Sequence, residues 1–188
     1  MSYIEHFKPI VDEIENIGIE KFLLNGSLNT ILGATGSGKT FAAIYLACYK
    51  AYELGENVLF CTHEDSTKYV FERLDIITTH FGYKRSTGSI SIVEDPTIDT
   101  IRDTIYDYEG NNVLISSVIV DGVSLMRGNS EYNWNNMQEN IANLSEIAKG
   151  EYFVDTYNVV ITATQGNNPR LKQSDWLLDI SDNVLNLN

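Results

Sequence analysis

The sequence predicts an α/β fold with a mostly parallel, twisted sheet and helices on both faces. Three observations predict it. Short apolar runs rich in β-branched residues recur along the chain, stretches of helical periodicity separate them, and the first run ends in glycines that open directly into a helix. Parallel strands buried on both faces read as continuous apolar runs rather than alternating ones, and they need helical crossovers to connect them.

Taken in order, residues 4–22 form an amphipathic segment with Ile10, Ile14 and Ile17 at helical spacing, followed by a turn at Asn25 and Gly26. "LNTILG" is the first strand. Residues 40–54 read as a helix of Ala, Leu and Tyr, with Gly55 where a C-terminal cap is expected. The alternation continues with "NVLFCT" as a strand, residues 66–81 as a helix, "SISIV" as a strand and residues 97–108 as a helix. "SSVIVDG" is the next strand, then a polar Asn- and Ser-rich loop over 127–136, a helix from about 135 to 148, the strand "NVVITAT" and a last short strand in "NVLNLN". The expected organisation is a lead-in helix over residues 1–25 and one domain over residues 26–188.

Composition narrows the function. With 188 residues the chain suits a single α/β domain. No apolar run approaches the roughly 20 residues of a membrane span, and the acidic N-terminus lacks the basic and apolar segments of a secretion signal. A cytoplasmic location is expected, in the host cytoplasm if the protein is viral. Cys48 and Cys61 form no CxxC pair and read as reduced core thiols. A net charge of −13 disfavours long-range attraction to nucleic acid, so any such contact must be local.

The chemistry-bearing motif is "GATGSGKT", which fits G-x-x-x-x-G-K-[ST] between a strand and a helix. Gly33, Ala34, Thr35, Gly36, Ser37 and Gly38 are expected to wrap backbone N–H groups around phosphates at a helix N-terminus. Lys39 then reaches the β- and γ-oxygens, and the Thr40 hydroxyl is placed to ligate Mg²⁺, so ATP and Mg²⁺ are the expected ligands.

Hydrolysis needs further groups at the strand tips, where ligands of open α/β sheets bind. Asp121 ends "SVIVD" and is the candidate for the second Mg²⁺ position. Glu64 follows "NVLFCT" and is the candidate catalytic base. Asp65 competes for that role, and an N-cap for the following helix is the structural alternative for either acid. Gln165, after "NVVITAT", is a neutral amide at the edge of the same site, equally readable as a γ-phosphate sensor or a solvated loop residue.

These stretches resemble the RecA-like P-loop NTPase core, and within it the C-terminal motor domain of DnaB-type replicative helicases, including those of T4-like phages. "GSLNTILGATGSGKTFAAIYLACYKAYELGENVLF" is similar to that family's first strand, loop, helix and second strand. "CTHEDSTKYVFERLD" resembles its "SLEM" segment and the Arg-containing helix after it, "VIVDGVSLM" its "IDYLQLM" strand, and "VVITATQGNNPR" its sensor strand. The resemblance implies that Glu64 is the catalytic glutamate, Asp121 the second acidic motif and Gln165 the sensor. It also implies a homo-oligomer, possibly a hexamer, with single-stranded DNA and replication or packaging proteins as partners.

The chain departs from the family in three ways. Its arginine finger lies past the last strand here, with Arg170 and Lys172 as the nearest substitutes. Only some 25 residues precede the core, against the ring-building domain of the helicases. Where the family contacts DNA, the cations are Arg127, Arg170 and Lys172. Tyr132 and Trp134 could stack on bases, although such aromatics more often anchor loops. The expected function is a DNA-directed motor, with a KaiC-like regulatory switch or a packaging NTPase as alternatives.

Overall fold

A computed structural model describes residues 3–85, 87–126, 134–151, 153, 155–164 and 173–187. The strands are β1 (Leu28–Gly33), β2 (Asn57–Thr62), β3 (Ser89–Glu94), β4 (Ser117–Asp121), β5 (Asn158–Thr164) and β6 (Asn183–Leu187). They form one six-stranded sheet in the order β3-β2-β4-β5-β1-β6, and every pairing is parallel. The helices are α1 (Tyr3–Ile17), α2 (Lys39–Cys48), α3 (Thr67–Phe81), α4 (Ile98–Gly110), α5 (Trp134–Ala148) and α6 (Gln173–Ile180).

Each central strand feeds two cores because successive side chains leave opposite faces of a sheet. In β2, Val58 and Phe60 join the layer of α1, α2 and α3, whereas Leu59 and Cys61 join that of α4, α5 and α6. All of these side chains are buried, and Val58, Leu59 and Phe60 each contribute roughly 1.5–3 kcal/mol of transfer free energy. In the first layer, α2 is buried along its length from Phe41 to Cys48. Cys48 and Cys61 are free, buried thiols.

Three elements differ from expectation. The N-terminal helix stops at Ile17 because Gly18 takes φ +93°, a left-handed value that favours glycine, and a 3-10 turn over Ile19–Leu23 follows. The helix after the phosphate loop passes from α to π geometry at Tyr49, where Leu54 N–H donates to the Tyr49 carbonyl before Gly55 turns the chain at φ +76°. Helix α6 was not foreseen: its eight residues are too few to display a clear period.

The register brings the strand tips that carry the candidate residues to one edge. Gly33 of β1 lies beside Thr164 of β5, and Thr62 of β2 beside Asp121 of β4. Helix α1 packs on α2 and α3, with Ile14 fully buried and Ile4 and Val11 nearly so. No helix among the described residues is long and apolar enough to cross a membrane.

Candidate functional site

The glycine-rich loop leaves β1 at Gly33 and enters α2 at Lys39, with Gly36 at φ +81° and Gly38 at φ +93°. Ser37 N–H donates to the Ala34 carbonyl at 3.1 Å and closes the turn. Gly38 is the N-cap of α2, its carbonyl accepting from Ala42 N–H at 3.0 Å, so the first N–H groups of the helix have no partner inside it. Lys39 is 5% exposed, and its ammonium donates to the Ala34 carbonyl at 2.9 Å across the loop.

Two glycines stand where a Cβ would crowd a neighbour, and Gly38 is favoured by its positive φ as well. A Cβ on Gly33 would lie 2.4 Å from Ser37 Oγ and 2.7 Å from the Leu187 carbonyl, because β6 runs against the start of the loop. A Cβ on Gly38 would lie 2.3 Å from Ile10 Cδ1 of α1. The same helix stacks Phe7 on Phe41, with ring centroids 4.5 Å apart and an interplanar angle of 16°. The N-terminal helix is thus seated directly on the phosphate loop.

Asp121 is fully buried at the tip of β4. The Thr162 hydroxyl of β5 donates to its Oδ1 at 2.7 Å, while Thr162 Oγ1 accepts the Gly122 N–H at 2.7 Å. Burial pushes the carboxyl up to about 6, and the nearby Glu64 charge adds to the rise. The Thr162 and Thr40 hydroxyls pull it partly back. Asp121 Oδ2 and Ser37 Oγ are buried with no hydrogen-bond partner among the described residues. Orphaned oxygens at such positions fit a hydrated divalent cation and a phosphate group, which would supply the missing partners.

Glu64 and Asp65 sit in the turn between β2 and α3, and the structure separates them. Ser66, not either acid, takes the N-cap position of α3. Asp65 is fastened twice by the Thr62 hydroxyl, which accepts from its N–H at 3.1 Å and donates to its carbonyl at 2.8 Å. Its carboxylate forms an ion pair with Arg73 of α3. Glu64 lies over the turn after Asp121: a Cβ on Gly122, which has φ +86°, would be 2.8 Å from Glu64 Cγ.

A cavity of about 260 Å³ opens beside these groups, lined by the loop residues Gly36, Gly38, Lys39 and Thr40 and by Glu64 and Arg73, with Asp65, Phe7 and Phe41 completing the wall. Loop and acids therefore meet at one space. Among the described residues no three His, Cys, Asp or Glu side chains form a metal cluster, so a cation held by Thr40 and Asp121 would take its remaining ligands from phosphate and water.

Residues 12–154 match the family model of the AAA domain. The chain belongs to the AAA domain family. As a member it has a P-loop NTPase core, and its all-parallel sheet is consistent with the RecA-like P-loop NTPase fold predicted from sequence. An AAA domain is a nucleotide-binding ATPase unit, and AAA-type ATPases commonly oligomerise. No curated protein matches the chain.

Several sequence-derived candidates, namely Gln165, Arg127, Arg170, Lys172 and Tyr132, lie outside the described residues, as does the side chain of Trp134. Conversely, three contributors were not singled out from sequence, and a fourth, Arg73, was noted only as the arginine of the helix in the family resemblance, with no role. Thr162 and Gly122 order the Asp121 turn, and Arg73 and Phe7 enter the cavity wall. Gly122 carried a readable signal, a glycine directly after a strand-ending acid. Thr162 and Phe7 are ordinary residues whose place depends on which elements pack together.

Proposed function

We propose that this AAA domain binds Mg-ATP in the loop cavity and hydrolyses it, serving as the motor core of a DnaB-like helicase or DNA-remodelling ATPase that acts on single-stranded DNA as an oligomer. The observation that carries the reading is that the glycine loop, Thr40 and Glu64 line one cavity, while Asp121, whose neighbour Gly122 lies against Glu64, keeps a buried Oδ2 without a partner among the described residues. In this reading the backbone N–H groups from Gly33 to Thr40 cradle the phosphates, and Lys39 leaves the Ala34 carbonyl to neutralise the β- and γ-oxygens. Thr40 and Asp121 hold Mg²⁺, which when bound offsets charge on the triphosphate.

Glu64 orients the attacking water and takes its proton. Asp65 is the poorer base because its carboxylate is already committed to an ion pair with Arg73. Gln165 follows β5 and would report the terminal phosphate from there. Arg127, Arg170 and Lys172 would supply local phosphate contacts for DNA. A regulatory switch is the second reading, favoured by the net charge of −13, which repels a polyanion at long range.

One assay separates these readings: ATP turnover with and without single-stranded DNA, alongside a mass measurement in ATP. A motor shows turnover stimulated by DNA in a salt-sensitive way, whereas a switch shows slow, DNA-indifferent turnover with ATP-dependent assembly. Lys39→Ala should abolish hydrolysis, and Glu64→Gln should retain ATP while hydrolysing it very slowly. Near-normal turnover in Lys39→Ala would refute the ATPase site itself.

A further inference from the structure

We propose that Phe7 of α1 is the nucleobase platform of this site, its ring stacking on the base of the nucleoside triphosphate whose phosphates the loop holds. The proposal rests on the loop cavity being the nucleotide site and adds the group that tells a nucleotide from a bare polyphosphate there. Phe7 lines that cavity together with Phe41, the residue directly after Thr40. It lies before residue 12, where the match to the AAA domain model begins, so the ring is supplied from outside the matched segment.

The ring is placed by the way α1 buries itself. Ile4, Val11 and Ile14 form one helical stripe, and all three are buried in the core beneath the helix. Phe7 stands in the same stripe, three positions after Ile4 and four before Val11, yet it stays partly exposed. At that point the stripe overhangs the phosphate loop: a Cβ built on Gly38 would lie 3.1 Å from both Cδ1 and Cε1 of Phe7. Phe41 backs the ring, parallel within 16° at 4.5 Å between centroids, and is itself buried. The pair therefore has a covered inner ring and a partly open outer ring. A base that adds to the outer ring extends an aromatic stack already set in place, so little side-chain freedom is lost on binding.

The chemistry of the cavity wall supports the same assignment. Glu64, Asp65 and Arg73 line it from beyond the tip of β2, whereas Phe7 and Phe41 line it from α1 and the first turn of α2. A nucleoside triphosphate divides in the same way, with charge and the scissile bond at one end and a flat, weakly polar ring at the other. Water attacks the terminal phosphate, so that end belongs beside Glu64 and the base is left for the aromatic wall. Phe7 touches the loop at Gly38, the N-cap of α2, which puts the ring within reach of a base whose phosphates sit on the helix N-terminus. Stacking reads a ring face rather than a base edge, so the platform itself does not choose between bases.

The test is binding to the full chain of a nonhydrolysable Mg-ATP analogue and of Mg-tripolyphosphate, which has the phosphates but neither sugar nor base. Calorimetry measures the first, and displacement of bound nucleotide measures the second. The wild-type protein should hold the nucleotide more tightly. Phe7→Ala should weaken the nucleotide about 5- to 100-fold, the range for a lost base–aromatic stack, while tripolyphosphate changes less than about twofold. Phe7→Leu keeps an apolar side chain against Phe41, should show the same selective loss, and serves as the second variant if the alanine substitution does not fold. Phe7→Tyr keeps the ring and should keep the wild-type preference. A nucleotide-to-tripolyphosphate ratio equal to wild type in the alanine and leucine variants, an equal loss of both ligands, or a wild-type protein that holds tripolyphosphate as tightly as the nucleotide overturns the proposal. Lys39→Ala run in parallel keeps the two readings apart: if it loses both ligands while the Phe7 variants keep the wild-type ratio, the loop site stands and the Phe7 assignment alone fails.

Discussion

Asp121→Asn should stabilise the metal-free, nucleotide-free protein at neutral pH, although it removes a residue on which the proposed function depends. Burial and the Glu64 charge raise this carboxyl from its ordinary 3.8 to about 6, which makes the ionised form about 3 kcal/mol less favourable in the fold than in the unfolded chain. The folded-state value is the higher one, so between about pH 4 and pH 6 the folded protein keeps a proton that the unfolded chain has released. This contribution to stability is present below about pH 4 and is lost as the pH rises through about 6.

An asparagine carries no such charge, and its Oδ1 can still accept from the Thr162 hydroxyl. Its Nδ2 replaces the orphaned Oδ2 and leaves a buried donor without a partner, costing about 1–2 kcal/mol. The net gain at pH 7.5 is therefore about 1–2 kcal/mol, or roughly 2–8 °C in Tm for a chain of this size. Urea and thermal unfolding followed by circular dichroism in EDTA, at pH 7.5 and at pH 4.5, would measure it. The advantage of the variant should shrink at the lower pH. A variant less stable than wild type at pH 7.5, or a difference that ignores pH, would refute the argument that a desolvated charge sits at this strand tip.

Gly38→Ala and Gly36→Ala separate space from backbone strain. Both residues have left-handed φ, but a Cβ meets Ile10 only at Gly38, so thermal unfolding should show losses of about 2–3 kcal/mol there and about 1 kcal/mol at Gly36. Equal losses would contradict the seating of α1 on the loop. Thr162→Val keeps volume but strips partners from the Gly122 N–H and Asp121 Oδ1, and should cost about 2–4 kcal/mol in urea unfolding, largely recovered in Thr162→Ser. Gly122→Ala should push Glu64 away and cut ATP turnover about 10- to 100-fold with little change in nucleotide affinity. Unaltered turnover would remove Glu64 from its proposed role.

Much of this architecture is legible in the sequence alone. The apolar β-branched runs from Leu28, Asn57, Ser117 and Asn158 predict strands because a strand covered on both faces has no polar side to show. The loop was legible for a different reason: glycines, lysine and threonine at fixed intervals act through backbone geometry and reach, which are local. Asp121 and Glu64 could be placed at strand tips because parallel crossovers put every strand's C-terminal end on one edge. Less legible were elements whose character depends on what they touch. The break at Gly18 and the π turn after Cys48 lie inside continuous helical patterns, and α6 is short.

By itself, then, the sequence determined the parallel α/β class, the phosphate-binding loop and which acids stand at its edge, since these follow from local periodicity and spacing. Only the tertiary structure decided how the acids differ. Asp121 is desolvated and clamped by Thr162 from a neighbouring strand, and Asp65 is neutralised by an arginine eight positions away on α3. It also decided that α1 closes over the loop through Ile10 and Phe7. Desolvation and ion pairing depend on the groups that surround a side chain, and those neighbours come from distant parts of the chain.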